Sequence, residues 1–216
     1  MHVTKRSGES EECDVEKIHK VVQWATEGIN GVSFSDIEMN ANLSLRDGIS
    51  TDDIHKILIK SANDLISESS PNYQYVAARL LNMQLRKEVW GHGSHSPSLQ
   101  HLLEVRVDNG IYDPFILEKW SPEDILTCES YINHNRDDLY TYAGLQQMID
   151  KYLVKNRITG EIYETPQYAY MVIAMCLFDN VSDVKLAYDT YSTFKIAYFP
   201  LSTLLEGIPR VEQVLV

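Results

Sequence analysis

Val3-Thr4-Lys5-Arg6-Ser7-Gly8 opens the chain with a short strand and a turn, and Asp14-Val15-Glu16-Lys17-Ile18 follows as the first turn of a helix. Gly8 can supply the positive φ that a tight hairpin turn needs. Asp14 is a good N-cap residue. Apolar residues then recur at helical spacing, at Val15, Ile18, Val21, Val22, Ala25 and Ile29. These stretches predict a β-hairpin followed directly by a helix.

Two more helices are predicted before residue 91. Ser50-Thr51-Asp52-Asp53 places hydroxyl caps and acids at the positive end of a helix dipole. The apolar face of this helix is expected at Ile54, Ile57, Leu58, Ala62, Leu65 and Ile66. A longer helix is predicted over residues 72–90, with Val76, Ala77, Leu80, Leu81 and Leu85 facing inward. The first ninety residues therefore form one small domain, which ends at the Gly-, Ser- and Pro-rich break over residues 91–97.

The chain beyond the break is predicted to be mostly helical. Ser121-Pro122 is typical of a helix start, because proline at the first turn loses no helical hydrogen bond. A small hairpin is expected over residues 157–163, and further helices over residues 140–152, 165–178 and 184–194.

Composition limits the class of protein. The 216 residues are 44% apolar and 23% charged, as in ordinary globular domains. A net charge of −12 argues against a nucleic-acid or membrane-surface partner, because both attract basic faces. The longest apolar run, over residues 168–178, is too short to span a bilayer, and the first residues lack the apolar stretch of a signal peptide. We therefore expect a cytoplasmic protein.

A basic cluster is the best candidate for a binding site. Lys5 and Arg6 end the predicted strand, and Lys17 lies in the first turn of the next helix. Helix N-termini favour anions, so the three cations there suit a triphosphate, although a solvated basic turn is the alternative. Lys87 is a fourth candidate cation, or simply balances a helix dipole. Thr51 and His55 read more simply as an N-cap threonine and a solvated histidine.

Other chemistry finds little support. His92, His95, His101, His134 and Cys128 match no structural zinc spacing, and we expect no metal. Cys13, Cys128 and Cys176 are odd in number and widely spaced, so no disulfide framework is expected. The chain has no Gly-x-Ser-x-Gly elbow and no Walker or Rossmann glycine pattern.

The ordered motifs resemble a known family. The opening residues, with Trp24-Ala25-Thr26-Glu27-Gly28, Thr51-Asp52-Asp53-Ile54-His55, Pro71-Asn72-Tyr73-Gln74-Tyr75-Val76-Ala77-Ala78-Arg79-Leu80 and Leu85-Arg86-Lys87, are similar to an ATP-cone, the nucleotide-sensing domain of many ribonucleotide reductases. Residues 151–164, from Lys151-Tyr152-Leu153-Val154 to Glu161-Ile162-Tyr163-Glu164, resemble the start of the catalytic part of a class I large subunit.

The resemblance implies a mainly α fold. Residues 1–92 would form the cone, a β-hairpin capping a four-helix bundle. Residues 93–216 would form the helical N-terminal region of a ten-stranded α/β-barrel reductase domain. ATP as activator, or dATP as inhibitor, would bind the cone at Lys5, Arg6, Glu11, Glu12, Cys13, Asp14, Val15, Glu16, Lys17, Ile18, Thr51, His55 and Lys87. Gln84 replaces a histidine of enterobacterial relatives and is expected to alter the response to effectors.

The resemblance also implies partners and a limit. A small radical-generating subunit would be the partner, together with the remaining large-subunit fragment, and a homodimer is allowed. After Lys195-Ile196 the family pattern fails, and Cys13, Cys128 and Cys176 match none of its catalytic cysteines. We therefore expect no reductase activity from this chain alone, as in a split or truncated, phage-like large subunit. The alternatives are a stand-alone nucleotide-sensing module and a non-catalytic remnant.

Overall fold

The computed structural model describes residues 2–5, 8–91 and 95–193. These residues form two compact units. The first unit comprises the described residues of Met1–Gln84 and Asp138–Gln146, and the second those of Leu85–Asp137 and Gln147–Val216. The predicted domain boundary at residue 92 stays a prediction. Residues 194–216, the last part of the expected reductase region, lie outside the described residues.

The first unit joins a small sheet to helices. Its strands are β1 (His2–Thr4), β2 (Ser10–Glu12) and β3 (Ile49–Ser50), in the order β2-β1-β3. β1 pairs antiparallel with β2, which confirms the predicted hairpin, and parallel with β3. The helices are α1 (Val15–Thr26), α2 (Phe34–Asn42), α3 (Thr51–Asp64) and α4 (Tyr73–Trp90), of which α4 continues into the second unit.

Side-chain caps fix where these helices begin. Asp14 caps α1 as predicted, and Ser33 caps α2. The cap of α3 is Ser50, which accepts from the Asp53 N–H at 3.0 Å. The prediction of Thr51 as N-cap was wrong. Thr51 is already the first residue of the helix, and Ser50 before it provides the cap. The helices enclose an apolar core that includes Val22, Ala25, Ile37, Leu58, Ala62, Val76, Ala77 and Leu80.

Two residues expected on apolar faces are instead exposed. Val15 is 66% exposed and Ile66 is 37% exposed. Val15 begins α1, where the first turn extends past the core, and Ile66 follows the last residue of α3. Helical periodicity continues to the ends of a helix, whereas burial ends where the neighbouring elements end.

The second unit is helical in the part that the structure describes. Its elements are α5 (Leu99–Asp108), α6 (Phe115–Lys119), α7 (Pro122–Tyr131), α9 (Pro166–Leu177) and α10 (Val181–Thr193). A 3-10 helix (His134–Leu139) and α8 (Tyr142–Lys151) each have residues in both units. The predicted starts at Pro122 and Pro166 are confirmed.

Helix α9 is the core of the second unit. Every residue from Pro166 to Met175 is buried, including the polar side chain of Gln167. α10 packs against both α9 and α7. Because α9 has no solvent face over this stretch, its near-continuous apolar sequence reflects burial rather than a membrane span. None of the helices in the described ranges has the length and apolarity needed to cross a membrane.

The hairpin predicted over residues 157–163 is reduced to one bridge. Lys155 and Ile162 form an isolated antiparallel bridge. The Asn156 N–H donates to the Glu161 carbonyl at 2.8 Å, and Gly160 has a φ of 78°, which glycine adopts readily. The turn was therefore predicted correctly, and the flanking chain is too short to form strands.

Candidate functional site

The hairpin places a lysine and a glutamate on one face. Val3 lies opposite Glu11 in the β1–β2 register, and Lys5 lies two residues beyond Val3. Side chains alternate along a strand, so Lys5 and Glu11 are diagonal neighbours. The Lys5 Nζ lies 2.7 Å from the Glu11 Oε2. The register thus produces an ion pair beside the buried Val3.

The N-terminus of α1 adds a second pair. Asp14 Oδ1 accepts from the Glu16 N–H at 3.1 Å, and its other oxygen lies 3.8 Å from the Lys17 Nζ. The charge of Lys17 also acts on Glu11. Lys5, Glu11, Asp14 and Lys17 therefore form one group, which we call the hairpin charge cluster.

Electrostatics within the cluster are reciprocal. The hydrogen bond from Lys5, helped by the charges of Lys5 and Lys17, lowers the pKa of Glu11. The hydrogen bond and charge of Glu11 raise the pKa of Lys5. The side chain of Lys5 is 43% exposed and that of Lys17 is 69% exposed. Both cations are thus open to an anion from solvent.

The segment before α3 holds the hairpin in place. The Gly48 N–H donates to the His2 carbonyl at 2.9 Å, and the His2 N–H donates to Asp47 Oδ1 at 2.6 Å. The hydroxyl of Thr4 donates to the Gly48 carbonyl at 3.3 Å. The His2 N–H also lowers the pKa of Asp47. These bonds tie β1 to residues 47–50, and no pattern in the sequence predicted this third strand.

The other predicted site residues lie in several settings. Around α1, Glu12, Val15 and Glu16 are exposed, whereas Cys13 and Ile18 are half-buried against the core. Lys87 is exposed on the last turn of α4, in the second unit, and its role stays a prediction. Arg6 lies outside the described residues.

His55 contradicts the simpler sequence interpretation. The prediction of a solvated histidine was wrong, because His55 is only 8% exposed and its ring Nε2 donates to the Leu80 carbonyl at 2.7 Å. Ile54, Leu58 and Ile59 are buried beside it on α3. Thr51 is half-buried at the start of the same helix. His55 therefore links α3 to α4, and its contact with a ligand stays a prediction.

The candidate metal ligands are dispersed in the part of the chain that is described. His95 and His101 are exposed, and Cys128 is fully buried with a pKa raised to about 11 by desolvation. His134 lies edge-on to Trp90 and Tyr168, with ring centroids 5.1 and 4.8 Å away. The described residues contain no group of three or more potential metal ligands. His92 lies outside them.

A buried polar network in the second unit escaped sequence analysis. Gln167 Nε2 donates to Asp137 Oδ1 at 2.7 Å, and the Tyr188 hydroxyl donates to Gln167 Oε1 at 2.7 Å. The Asn133 N–H in turn donates to the Tyr188 oxygen at 2.8 Å. This network joins the 3-10 helix to α9 and α10. No sequence spacing indicates it, because its members are far apart in the chain.

Two stretches of the chain match known protein families. Residues 1–88 match the family described as the ATP cone domain. Residues 138–202 match the family described as the ribonucleotide reductase all-alpha domain. The chain thus combines an ATP cone with the all-alpha domain of ribonucleotide reductases, as the resemblance predicted.

Similar proteins place the chain more narrowly. It is 45% identical over 201 residues to the ribonucleoside-diphosphate reductase 1 subunit alpha of Salmonella typhimurium, covering 90% of the chain and 26% of that protein. It is 43% identical over 201 residues, with the same coverage, to the Escherichia coli protein of that name. It is 44% identical over 202 residues to the subunit alpha of enterobacteria phage T4, covering 91% of the chain and 26% of that protein.

The chain matches the N-terminal region of ribonucleoside-diphosphate reductase alpha subunits. It spans about a quarter of the length of these relatives.

Proposed function

We propose that the chain is the nucleotide-sensing part of a ribonucleoside-diphosphate reductase, which binds ATP or dATP at the hairpin charge cluster. The observation that carries the proposal is that Lys5, directly after β1, and Lys17, in the first turn of α1, both act on Glu11 in a domain that matches the ATP cone. Two exposed cations beside a helix N-terminus are a suitable environment for phosphates. These two cations stand out in a chain that is otherwise acidic, with a net charge of −12.

The remaining predicted residues would complete the binding site. Arg6 and Lys87 would add phosphate contacts. In the resemblance, residues 11–17 would line the base and the ribose, with Lys17 on phosphate, and Thr51 and His55 would form another wall. Support for this arrangement comes from the sequence resemblance. The sheet order β2-β1-β3 is compatible with it, because β2 precedes α1 and β3 precedes α3 in the chain.

The bound nucleotide would act as an effector rather than a substrate. ATP and dATP differ by one hydroxyl group, so the site must bind them differently in two states of the assembly to have opposite effects. We propose that dATP favours an inhibited assembly with a small radical-generating subunit, and that ATP favours an active one. The assembly would be cytoplasmic.

The reduction itself would need sequence beyond this chain. Cys13, Cys128 and Cys176 form no disulfide bond, and Cys128 is fully buried. We propose that the chain alone does not turn over ribonucleotides, and that activity requires the remaining large-subunit sequence. Turnover of CDP by this chain with only reductant and the small subunit would contradict that part of the proposal.

Calorimetric titration with dATP and then ATP tests nucleotide binding. We expect saturable binding by the full chain, weakened roughly 10- to 100-fold by Lys5→Ala or Lys17→Ala, because each removes a charge-assisted contact. Lys20→Ala is the matched control, because Lys20 is an exposed lysine of the same α1 helix. The absence of binding by a folded chain, or an equal loss in all three variants, would overturn the proposal.

A further inference from the structure

The cation best placed for phosphate already has an anionic partner. The Glu11 carboxylate lies 2.7 Å from the Lys5 Nζ, a distance typical of a charge-assisted hydrogen bond. A phosphate oxygen bound to Lys5 would lie at a similar distance from the same ammonium group. The carboxylate and the phosphate therefore compete for one place on Lys5.

We propose that Glu11 is an internal competitor of the nucleotide, which holds Lys5 in the empty site and releases it when a triphosphate binds. This inference rests on the proposed function, because it concerns the same site. For Glu11, it replaces the base or ribose contact that the resemblance implies with a role as competitor. Glu11 raises the nucleotide concentration needed to fill the site, and so sets the threshold of the sensor.

The two carboxylates of the hairpin charge cluster are not equivalent in this respect. Asp14 is committed to α1, because its Oδ1 accepts from the Glu16 N–H at 3.1 Å and its release would uncap the helix. Its ion pair with Lys17 is also longer, at 3.8 Å. Among the described residues, Glu11 makes its side-chain hydrogen bond to Lys5 and caps no helix. Glu11 is therefore the carboxylate that can move at little structural cost.

The ion pair between Lys5 and Glu11 is weak enough for a triphosphate to displace the carboxylate. The Glu11 side chain is 34% exposed, and ion pairs at such exposure contribute little net stability because water solvates both partners. A triphosphate carries several charges and meets Lys17 as well as Lys5, so it can displace a single carboxylate. Once displaced, Glu11 still lies close enough to repel the bound phosphates.

Calorimetric titration of the full chain with ATP at fixed salt tests the inference. Glu11→Gln keeps the size of the side chain and removes its charge, so we expect ATP to bind roughly three- to tenfold more tightly. Glu68→Gln is the matched control. Glu68 is an exposed glutamate of the loop between α3 and α4 and belongs to none of the predicted nucleotide contacts, so we expect a change below about twofold.

A double variant separates competition for Lys5 from a general change of charge. In a Lys5→Ala background, Glu11→Gln should tighten ATP binding much less than it does in the wild-type chain, because the two residues act through one contact. Circular dichroism confirms that each variant is folded. Weaker ATP binding by Glu11→Gln would overturn the inference and make Glu11 a nucleotide contact. Equal tightening by Glu68→Gln, or full tightening by Glu11→Gln in the Lys5→Ala background, would also overturn it. A wild-type chain that does not bind ATP would instead overturn the proposed function itself.

Discussion

The side-chain amide of Asn82 donates a 2.7 Å hydrogen bond to Oδ1 of Asp138, 56 residues further along the chain. Asn82 is fully buried in α4. Tyr142, four residues beyond Asp138, packs against the apolar core of the first unit. Residues 138–146 thus belong to the compact unit that carries the hairpin, although they lie in the stretch that matches the all-alpha domain.

Replacing Asn82 tests whether this link stabilises the first unit. Asn82→Ala removes the donor to a carboxylate, and we expect a loss of about 1–3 kcal/mol in the free energy of opening. Hydrogen exchange of peptides from α1, α3 and α4 measures that free energy. Asn42→Ala, at an exposed position ending α2, should leave the exchange unchanged. Equal effects of the two variants would contradict the prediction.

Lys119 closes the carboxyl end of α9. Its Nζ donates to the carbonyls of Met175 at 3.1 Å and Cys176 at 3.3 Å, and lies 2.9 Å from Asp179 Oδ1. Its side chain is 13% exposed. Lys119→Met keeps the length of the side chain and leaves helix-end carbonyls without this donor, so we expect a loss of about 1–3 kcal/mol in the stability of the second unit.

Urea denaturation followed by circular dichroism measures the effect of this variant. Lys151→Met is the matched control, because Lys151 also lies in the last turn of a helix but is exposed. We expect the control to shift the unfolding free energy by less than about 0.5 kcal/mol. A loss of similar size in both variants would show that the charge, and not the contacts of Lys119, is responsible.

His134 makes the stability of the second unit depend on pH. Burial, and then the charge of Arg86, lower the pKa of His134 from 6.5 to about 4. Between these values the unfolded chain binds a proton that the folded chain does not, so the free energy of unfolding falls as the pH falls. The slope from this residue is at most about 1.4 kcal/mol per pH unit. Its stabilising effect is full above pH 6.5 and is lost by about pH 4.

Urea midpoints measured from pH 7 to pH 4.5 check this dependence. His134→Phe keeps an aromatic ring beside Trp90 and Tyr168 and should flatten the profile over this range. His101→Gln, at an exposed position of α5, should leave the slope as it is in the wild-type chain. An unchanged slope in His134→Phe would assign the pH dependence to other groups.

Sequence patterns predicted the helices whose ends are set by residues at those ends, such as a capping side chain or a proline. The Asp14 cap, the prolines at 122 and 166 and the periodicity of α3 and α4 all gave helices close to those in the structure. The basic hairpin residues were also predicted from sequence. Their carboxylate partners were not, because pairing Lys5 with Glu11 requires the strand register.

The elements that were missed depend on distant residues. α2 exposes Phe34 and Met39, so its apolar pattern does not mark one face, although Ser33 with Asp36 is a capping signal. β3 has two residues and exists because β1 pairs with it. The burial of His55 likewise depends on the Leu80 carbonyl in α4. A single-sequence pattern does not contain these contacts.

The position of β1 between β2 and β3 has a consequence for the order of folding. The β1–β2 contact closes a loop of a few residues, whereas the β1–β3 contact joins Val3 to Ile49. Closing the longer loop costs more chain entropy and is slower. We therefore expect the hairpin to form early as a loose ribbon and to become fixed only after α1 and α2 have brought residues 47–50 alongside it. During synthesis, the hairpin charge cluster would therefore be held in its final position only after the chain has reached β3, directly before α3.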